Sequence, residues 1–264
     1  MAIVIANTTR GSGKTTVALN IAADAALHEH NVLAVDGDRH GALLAALANR
    51  EEGNPIVAVH YAEEKILLQQ VKLASFRFDD IIIDAGDISI IRAALMLADL
   101  VLIPFQHSSE LEDMAVLLAE ARAKRGIHIQ ALAFLWMADA NSNDVVDAAS
   151  ATPEGIEYLA APVGRHKAFC DAVGRGHGVS DESYCNPKAA AEFRFFIDQI
   201  IEKCMSVAPS MYQAPNYMET KTRVTRAIIT LPISCALLTK LEIWAHARNM
   251  DRAEAISFAV SNLE

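Results

Sequence analysis

The sequence is poor in the features that mark secreted, metal-binding or membrane proteins. Its 264 residues include four cysteines and no Cys-x-x-Cys pair, so neither a disulfide framework nor a zinc or iron–sulfur site is expected, and a reducing cytoplasm is favoured. It has no run of about eighteen apolar residues, so no membrane span is expected. The start of the chain lacks a basic leader and a small-residue cleavage site, so no secretory signal is expected either.

The charge of the chain is unevenly distributed. It has 23 lysines and arginines against 33 aspartates and glutamates, a net charge of −10, which disfavours a general nucleic-acid binder. Residues 208–264, however, carry six basic and five acidic side chains, and the segment from Lys221 to Thr230 holds three basic residues and no acidic one. Any contact with nucleic acid is therefore expected in this C-terminal segment.

Residues 1–207 alternate between strand-like and helical patterns. Short apolar strands separated by helices predict an α/β fold with a doubly wound, mostly parallel sheet. The strand-like runs are Ile3–Ala6, Val32–Val35, Ile56–His60, Ile81–Ile83, Leu100–Ile103 and Ile129–Leu135. The clearest helical stretches are Thr15–Leu27 and Leu111–Lys124, where apolar residues recur three and four positions apart.

A glycine-rich segment between the first strand and the first helix carries the strongest chemical signal. Its glycines let successive backbone N–H groups turn toward a phosphate, and the helix that follows directs its positive end at the same anion. Lys14 is expected to neutralise the β- and γ-phosphates, and the Thr15 hydroxyl to bind Mg²⁺. The residues predicted to bind the nucleotide are Arg10, Gly11, Ser12, Gly13, Lys14, Thr15 and Thr16. The alternative is a turn that only reverses the chain.

Three further segments join this loop in one family resemblance. The strict phosphate-loop motif has glycine where this chain has Thr8, which points to the deviant form Lys-Gly-Gly-x-Gly-Lys-Thr-Thr. With that loop, residues 2–205 resemble the ParA/MinD family of ATPases, and among them the short ParA proteins that segregate plasmids. The matching segments are Val32-Leu33-Ala34-Val35-Asp36-Gly37-Asp38, Phe78-Asp79-Asp80-Ile81-Ile82-Ile83-Asp84, and Ala98-Asp99-Leu100-Val101-Leu102-Ile103-Pro104 followed by Ser108.

The resemblance implies ATP and Mg²⁺ as cofactors and gives roles to three carboxylates. Asp38 would position the attacking water, with Asp36 nearby, and Asp84 would orient Mg²⁺ through a bound water. Each follows a strand, and strand ends form the ligand crevice of such sheets; capping of the next helix is the alternative for each. The resemblance also implies a homodimer and slow ATP hydrolysis that DNA or a partner protein stimulates.

Two residues depart from the family pattern. The family's signature lysine, which reaches across a nucleotide-sandwich dimer to the phosphates of the second protomer, falls at Thr9, and the glycine after it falls at Arg10. Threonine carries no positive charge. The guanidinium of Arg10, one position along, either supplies that charge across the dimer or is simply exposed to solvent.

The C-terminal residues show a separate pattern. Residues 208–222 contain two prolines and no helical or strand periodicity, so they are interpreted as a linker. Arg226-Ala227-Ile228-Ile229-Thr230-Leu231-Pro232 and Asn249-Met250-Asp251-Arg252-Ala253-Glu254-Ala255-Ile256 match the strand and the inter-helix turn of one known domain. On these segments residues 223–264 resemble a ribbon–helix–helix DNA-binding domain, in which two chains pair their strands in the major groove. The residues predicted to bind DNA are Arg226, Ile228 and Thr230 at base edges and Lys221 and Arg223 at phosphates. The alternative is a helical hairpin used only for oligomerisation.

Together these features predict an ATPase for plasmid or chromosome partition that carries its own sequence-specific DNA-binding tail. Its expected partners are a specific DNA site, nonspecific DNA at the ATPase dimer and a partition protein, with no membrane. It is expected in the cytoplasm, on the nucleoid or on a plasmid. Two alternatives remain open: a DNA-binding repressor whose nucleotide domain is a switch with little turnover, which Thr9 favours, and an ATPase that positions a cargo.

Overall fold

A parallel sheet is the framework of the protein in a computed structural model, which describes residues 1–50, 56–138, 148–181 and 186–207. Within these residues the strand order is β3-β2-β4-β1-β5-β6-β7, with β8 paired to β6, and each of these pairings is parallel. The strands are β1 (Ala2–Ala6), β2 (Val32–Asp36), β3 (Ile56–His60), β4 (Asp80–Ala85), β5 (Leu100–Phe105), β6 (Gln130–Ala138), β7 (Glu157–Tyr158) and β8 (Val163–Gly164). The predicted doubly wound parallel sheet is confirmed.

Helices connect the strands and cover the sheet. They are α1 (Lys14–Leu27), α2 (Ala42–Leu47), α3 (Glu64–Ala74), α4 (Ile88–Leu95), α5 (Leu111–Arg125), α6 (Lys167–Val173) and α7 (Pro187–Val207). Helix α5 shows how the sequence sets such an element: its first turn is acidic and its last turn is basic, which complements the helix dipole. It ends at Gly126, whose φ of +67° suits the left-handed cap that glycine favours.

The core explains why the central strands are continuous apolar runs. Strands β2, β4 and β5 are buried along their whole length, as expected when both faces of a parallel sheet are covered. Alternate residues such as Val4, Ile83 and Ile103 pack in one cluster with Ile91 of α4 and Leu118 of α5. The residues between them face the opposite layer, because side chains alternate along a strand.

The register of the central strands places the candidate site. Ile5 of β1 and Asp36 of β2 both pair with Asp84 of β4, so the carboxyl ends of three strands meet at one edge of the sheet. The loops that follow these ends lead into α1, α2 and α4. This is the edge at which open α/β sheets bind ligands.

The chain divides by its contacts into two compact units, Met1–Ile200 and Ile201–Glu264. In the second unit the structure describes residues 201–207, which are the end of α7. The predicted linker 208–222 and the predicted module 223–264 lie outside the described residues. None of the helices that are described is long and apolar enough to cross a bilayer.

Candidate nucleotide-binding site

The loop between β1 and α1 has the backbone of an anion site. Gly11 and Gly13 have φ angles of +78° and +95°, a region that residues with a Cβ rarely adopt. Helix α1 then begins at Lys14, and no described side chain caps its first turn. Its leading N–H groups are therefore available to an anion, which the positive end of the helix also attracts.

Lys14 lies within this loop, as predicted. Its side chain is 9% exposed, and Nζ donates to the carbonyl oxygen of Thr9 at 2.8 Å and to Oγ of Ser12 at 3.4 Å. Burial lowers the pKa of Lys14, while the negative charges of Asp84, Asp38 and Glu110 oppose that shift. The ammonium group thus donates to neutral oxygens of its own loop. A charged phosphate oxygen is a stronger acceptor than these neutral oxygens.

The two residues predicted to hold Mg²⁺ touch each other. Oγ1 of Thr15 donates to Oδ2 of Asp84 at 2.6 Å. Asp84 is 1% exposed, and burial raises its pKa to about 7, although the hydrogen bond from Thr15 lowers it. A hydroxyl beside a buried carboxylate at a strand end provides the oxygen ligands that suit Mg²⁺. A bound divalent cation would stabilise the ionised form of that carboxylate.

Asp36 organises the loop after β2. It is fully buried, and its Oδ1 accepts the N–H of Asp38 at 3.0 Å while Oδ2 accepts the N–H of Leu44 at 2.8 Å. Burial raises the pKa of Asp36, and the bonds from these N–H groups act in the opposite direction. With both oxygens so engaged, Asp36 holds the backbone of its neighbour and the start of α2.

Asp38 is more accessible than Asp36 and lies two residues beyond the end of β2. Its Oδ1 accepts the N–H of His40 at 2.8 Å, and its carbonyl oxygen accepts a bond from Nε2 of His60 at 2.8 Å. Burial lowers the pKa of Lys14 and raises that of Asp84, and the charge of Asp38 acts on both pKa values in the upward direction. The carboxylate therefore lies close enough to the loop lysine to act on its charge.

The remaining predicted loop residues differ in exposure. Arg10 is exposed and forms no hydrogen bond or ion pair with the part of the chain that is described, and its charge adds a small lowering of the pKa of Lys14 to the larger effect of burial. Ser12 is 2% exposed. Thr16 is half-buried, and its carbonyl oxygen accepts a bond from Nδ2 of Asn20.

Asn7 and Glu110 are site residues that sequence reasoning missed. Nδ2 of Asn7 donates to the carbonyl oxygen of Pro104 at 2.8 Å and to Oε2 of Glu110 at 3.0 Å, and its Oδ1 accepts the N–H of Thr9 at 2.8 Å. Nε2 of Gln106 also bonds the carbonyl oxygen of Gly11. The β5–α5 connection therefore braces the phosphate loop. A polar residue directly after an apolar strand was the one available signal for Asn7, and Glu110 had none.

Trp136 forms the floor under the loop and was also missed. A Cβ on Gly13 would lie 2.1 Å from Cδ1 of Trp136, so this glycine is required by space as well as by its φ angle. The indole packs edge-on against Phe169, with ring centroids 5.0 Å apart. The sequence spacing of 123 residues between Gly13 and Trp136 left no local pattern to reveal this contact.

The predicted DNA-binding residues cannot be placed beside this site. Lys221, Arg223, Arg226, Ile228 and Thr230 lie outside the described residues.

A parallel sheet whose first strand leads through a glycine-rich loop with a lysine into a helix defines the class of P-loop nucleotide-binding proteins. Residues 3–256 match the family described as the CobQ/CobB/MinD/ParA nucleotide binding domain. The chain belongs to this family, which includes the ParA and MinD ATPases, and ATP and Mg²⁺ are the family's cofactors, as the sequence predicts. Among curated proteins, none matches the chain.

Solved structures share the fold at low sequence identity. Apo McdA from Cyanothece has a TM-score of 0.63 and 18% identity, over 75% of this chain and 98% of McdA. A protein of Borrelia burgdorferi B31 assigned to plasmid partition, bound to AMPPNP, has a TM-score of 0.60 and 14% identity, over 76% and 98%. The septum site-determining protein MinD from Pyrococcus horikoshii OT3, in complex with Mg-ADP, has a TM-score of 0.58 and 20% identity, over 80% and 98%.

Proposed function

We propose that the protein is an ATPase that partitions plasmid or chromosomal DNA and binds a specific DNA site through its C-terminal segment. Residues 1–207 would form the ATPase domain, 208–222 a linker and 223–264 the DNA-binding module. The contact of Thr15 with buried Asp84, in the same electrostatic site as Lys14, is the observation that supports ATP turnover. The fold shared with the Borrelia protein supports partition, and the basic segment from Lys221 to Thr230 supports DNA contact.

The residues of the site fit ATP and Mg²⁺, and each has a distinct role in the proposal. Lys14 and the N–H groups from Arg10 to Thr16 would bind the phosphates, and Thr15 and Asp84 would hold Mg²⁺, Asp84 through a water. Mg²⁺ supplies positive charge to the phosphate oxygens when it is bound. Asp38 would orient the attacking water, and Asp36 would keep Asp38 in place through its N–H.

A homodimer is part of the proposal because the family resemblance implies one, and Arg10 is the residue that would supply the charge that Thr9 lacks. Arg10 is exposed and unpaired in the described part of the chain, and its guanidinium can bond two phosphate oxygens at once. We place Arg10 at the phosphates of a second protomer. On this basis Arg10→Ala would retain MgATP binding and lose MgATP-dependent dimerisation, whereas Thr8→Ala would keep both; light scattering after size-exclusion chromatography measures the difference.

A repressor with a nucleotide switch is the second candidate, and Thr9 is the observation that favours it. Loss of the lysine removes a charge that stabilises the transition state, and such charges contribute about 10³-fold or more to rate in related phosphoryl transfers. In that case ATP would be bound and hardly hydrolysed. The first candidate, the partition ATPase, would act in the cytoplasm on a nucleoid or plasmid and would have a separate partition protein as its partner.

Hydrolysis assays with and without DNA separate these candidates. Wild-type protein is expected to release phosphate slowly and faster with DNA. Lys14→Ala should lower MgATP affinity by about 30-fold or more, since losing a buried charge partner costs about 2 kcal/mol or more. Asp38→Ala should bind MgATP and hydrolyse it about 100-fold more slowly. Lys65→Ala, which alters an exposed lysine, is the matched control. If the wild type and all the variants that bind MgATP fail to hydrolyse it, the repressor with a nucleotide switch is the better explanation.

DNA binding by the tail is tested in the full chain by selecting a bound site from random DNA. Arg226→Ala is expected to weaken binding to that site by about 1–3 kcal/mol and to relax its sequence preference. Arg223→Gln is expected to weaken binding to all DNA sequences by the same factor and to reduce the dependence of affinity on salt concentration. Lys240→Ala is the control outside the predicted strand. If no DNA is selected, the tail serves another purpose, and oligomerisation or a cargo becomes the better explanation.

A further inference from the structure

Two loops of the site meet above the end of β4. The first follows β2 and contains Gly37 to Gly41, and the second follows β4 and contains Gly86 and Asp87. The N–H of Gly37 donates to the carbonyl oxygen of Asp84 at 2.9 Å. Nε and Nη2 of Arg39 lie 3.0 and 2.9 Å from Oδ2 of Asp87. The first loop is thus attached to the end of β4 by a backbone bond and to the second loop by an ion pair.

Between these two attachments, the side chain of Asp38 lies directly on Gly86. A Cβ at Gly86 would be 2.5 Å from Oδ2 of Asp38 and 2.8 Å from its Cβ and Cγ. These distances are shorter than any real contact of a Cβ atom. The φ of Gly86 lies outside the left-handed region, so it is space, and not backbone conformation, that requires glycine here.

The backbone of Asp38 cannot easily move away from Gly86. Its N–H is held by Oδ1 of buried Asp36 at 3.0 Å, and its carbonyl oxygen by Nε2 of His60 at 2.8 Å. These bonds come from two neighbouring strands, β2 and β3. A group added at Gly86 must therefore turn the Asp38 carboxylate aside or push the two loops apart.

We infer that Gly86 is a positioning residue for the proposed ATP hydrolysis, because it leaves the space in which the Asp38 carboxylate is held. This inference rests on the proposed role of Asp38. Lys14, Thr15 and the glycines of the phosphate loop lie on the β1–α1 connection, whereas the three atoms nearest to a Cβ at Gly86 all belong to Asp38, on the β2–α2 connection. Adding a side chain at Gly86 should therefore slow the turnover of bound ATP and leave the binding of MgATP almost unchanged.

Gly86→Ala in the full chain tests the inference through separate measurements of kcat and of MgATP affinity. We expect kcat to fall about 10- to 100-fold, since small displacements of a reacting group have effects of that size, and the Kd for MgATP to change less than about threefold. Gly174→Ala is the matched control, because a Cβ there meets its nearest atom at an ordinary 3.6 Å. Unchanged kcat, or a Kd that rises as much as kcat falls, would overturn the inference.

A second substitution shows whether the overlap with Asp38 is the cause. Asp38→Gly removes the side chain that the new methyl group would meet. In that background Gly86→Ala is expected to leave both the residual rate and the Tm unchanged, whereas alone it lowers the Tm. This measurement decides the question even if Gly86→Ala alone folds poorly. If the Tm stays low when Asp38→Gly is combined with Gly86→Ala, the overlap between the new methyl group and the Asp38 side chain is not the cause.

The two proposals fail in different ways. If Asp38→Ala hydrolyses ATP at the wild-type rate, the proposed role of Asp38 is wrong, whatever Gly86→Ala does. If Asp38→Ala is inactive and Gly86→Ala is as active as wild type, the role of Asp38 stands and the inference about Gly86 is wrong.

Discussion

Replacing Asp84 with asparagine should stabilise the protein in the absence of Mg²⁺ and nucleotide, although the same change should remove a ligand of the proposed Mg²⁺ site. Asp84 is 1% exposed, and burial raises its pKa from 3.8 to about 7. Ionising it in the folded protein is therefore unfavourable. Asparagine has nearly the same shape, carries no charge and can still accept the hydrogen bond from Thr15.

The size and sign of the effect follow from the two pKa values. Between them the folded protein holds a proton on Asp84 that the unfolded chain has released, so the stability of the wild type falls as pH rises from about 4 to about 7. At about 1.4 kcal/mol for each pH unit, the loss between about pH 5 and about pH 8 is at most about 3 kcal/mol. The Asp84→Asn variant should not lose this stability, because asparagine does not ionise.

Urea unfolding at several pH values, with EDTA present and nucleotide absent, measures the difference between the two proteins. The gap in the free energy of unfolding between Asp84→Asn and wild type should widen as pH rises and level off above about pH 7. Asp171→Asn, in which the altered side chain is 43% exposed, should show no such trend. A gap that is constant with pH, or that widens toward acid, would refute the reasoning.

Two further substitutions test the framework of the phosphate loop. Asn7→Asp removes the donor to Glu110 and buries a second carboxylate beside it, so we expect a loss of about 3 kcal/mol in the free energy of unfolding and weaker MgATP binding by calorimetry; unchanged values would show that the β5–α5 connection does not brace the loop. Gly13→Ala places a methyl group 2.1 Å from Trp136 at a left-handed φ and should cost about 3 kcal/mol or more. Gly41→Ala, with a φ of +66° and no atom within 4 Å, should cost about 1 kcal/mol, and equal losses for both glycines would contradict the contact with Trp136.

The regular elements could be predicted where a local pattern was strong. The continuous apolar runs at β2, β4 and β5 predicted buried parallel strands, and the structure extends them by one, three and two residues, respectively. Strands β7 and β8 were missed because two residues each cannot show a period. Helix α1 begins one residue earlier than predicted, at Lys14.

The site shows the same division between local and long-range information. Lys14 and Thr15 were predicted from their places in a loop–helix motif, and Asp38 and Asp84 from the family resemblance of the segments at the ends of two strands. That Asp36 accepts backbone N–H groups with both of its oxygens was not predicted. It depends on which carboxylate the fold buries and which N–H groups it then meets.

What the order of residues determined by itself is the chemistry at one edge of a parallel sheet: glycines and a lysine before a helix, and aspartates after apolar strands. Each of these features is encoded in a segment of about ten residues. What only the tertiary structure decided is how the loops support each other, through Asn7 with Glu110, Gly13 with Trp136 and Gly86 with Asp38. Those contacts join residues 48 to 123 positions apart, and they exist because the sheet brings the ends of its strands together, which no local pattern records.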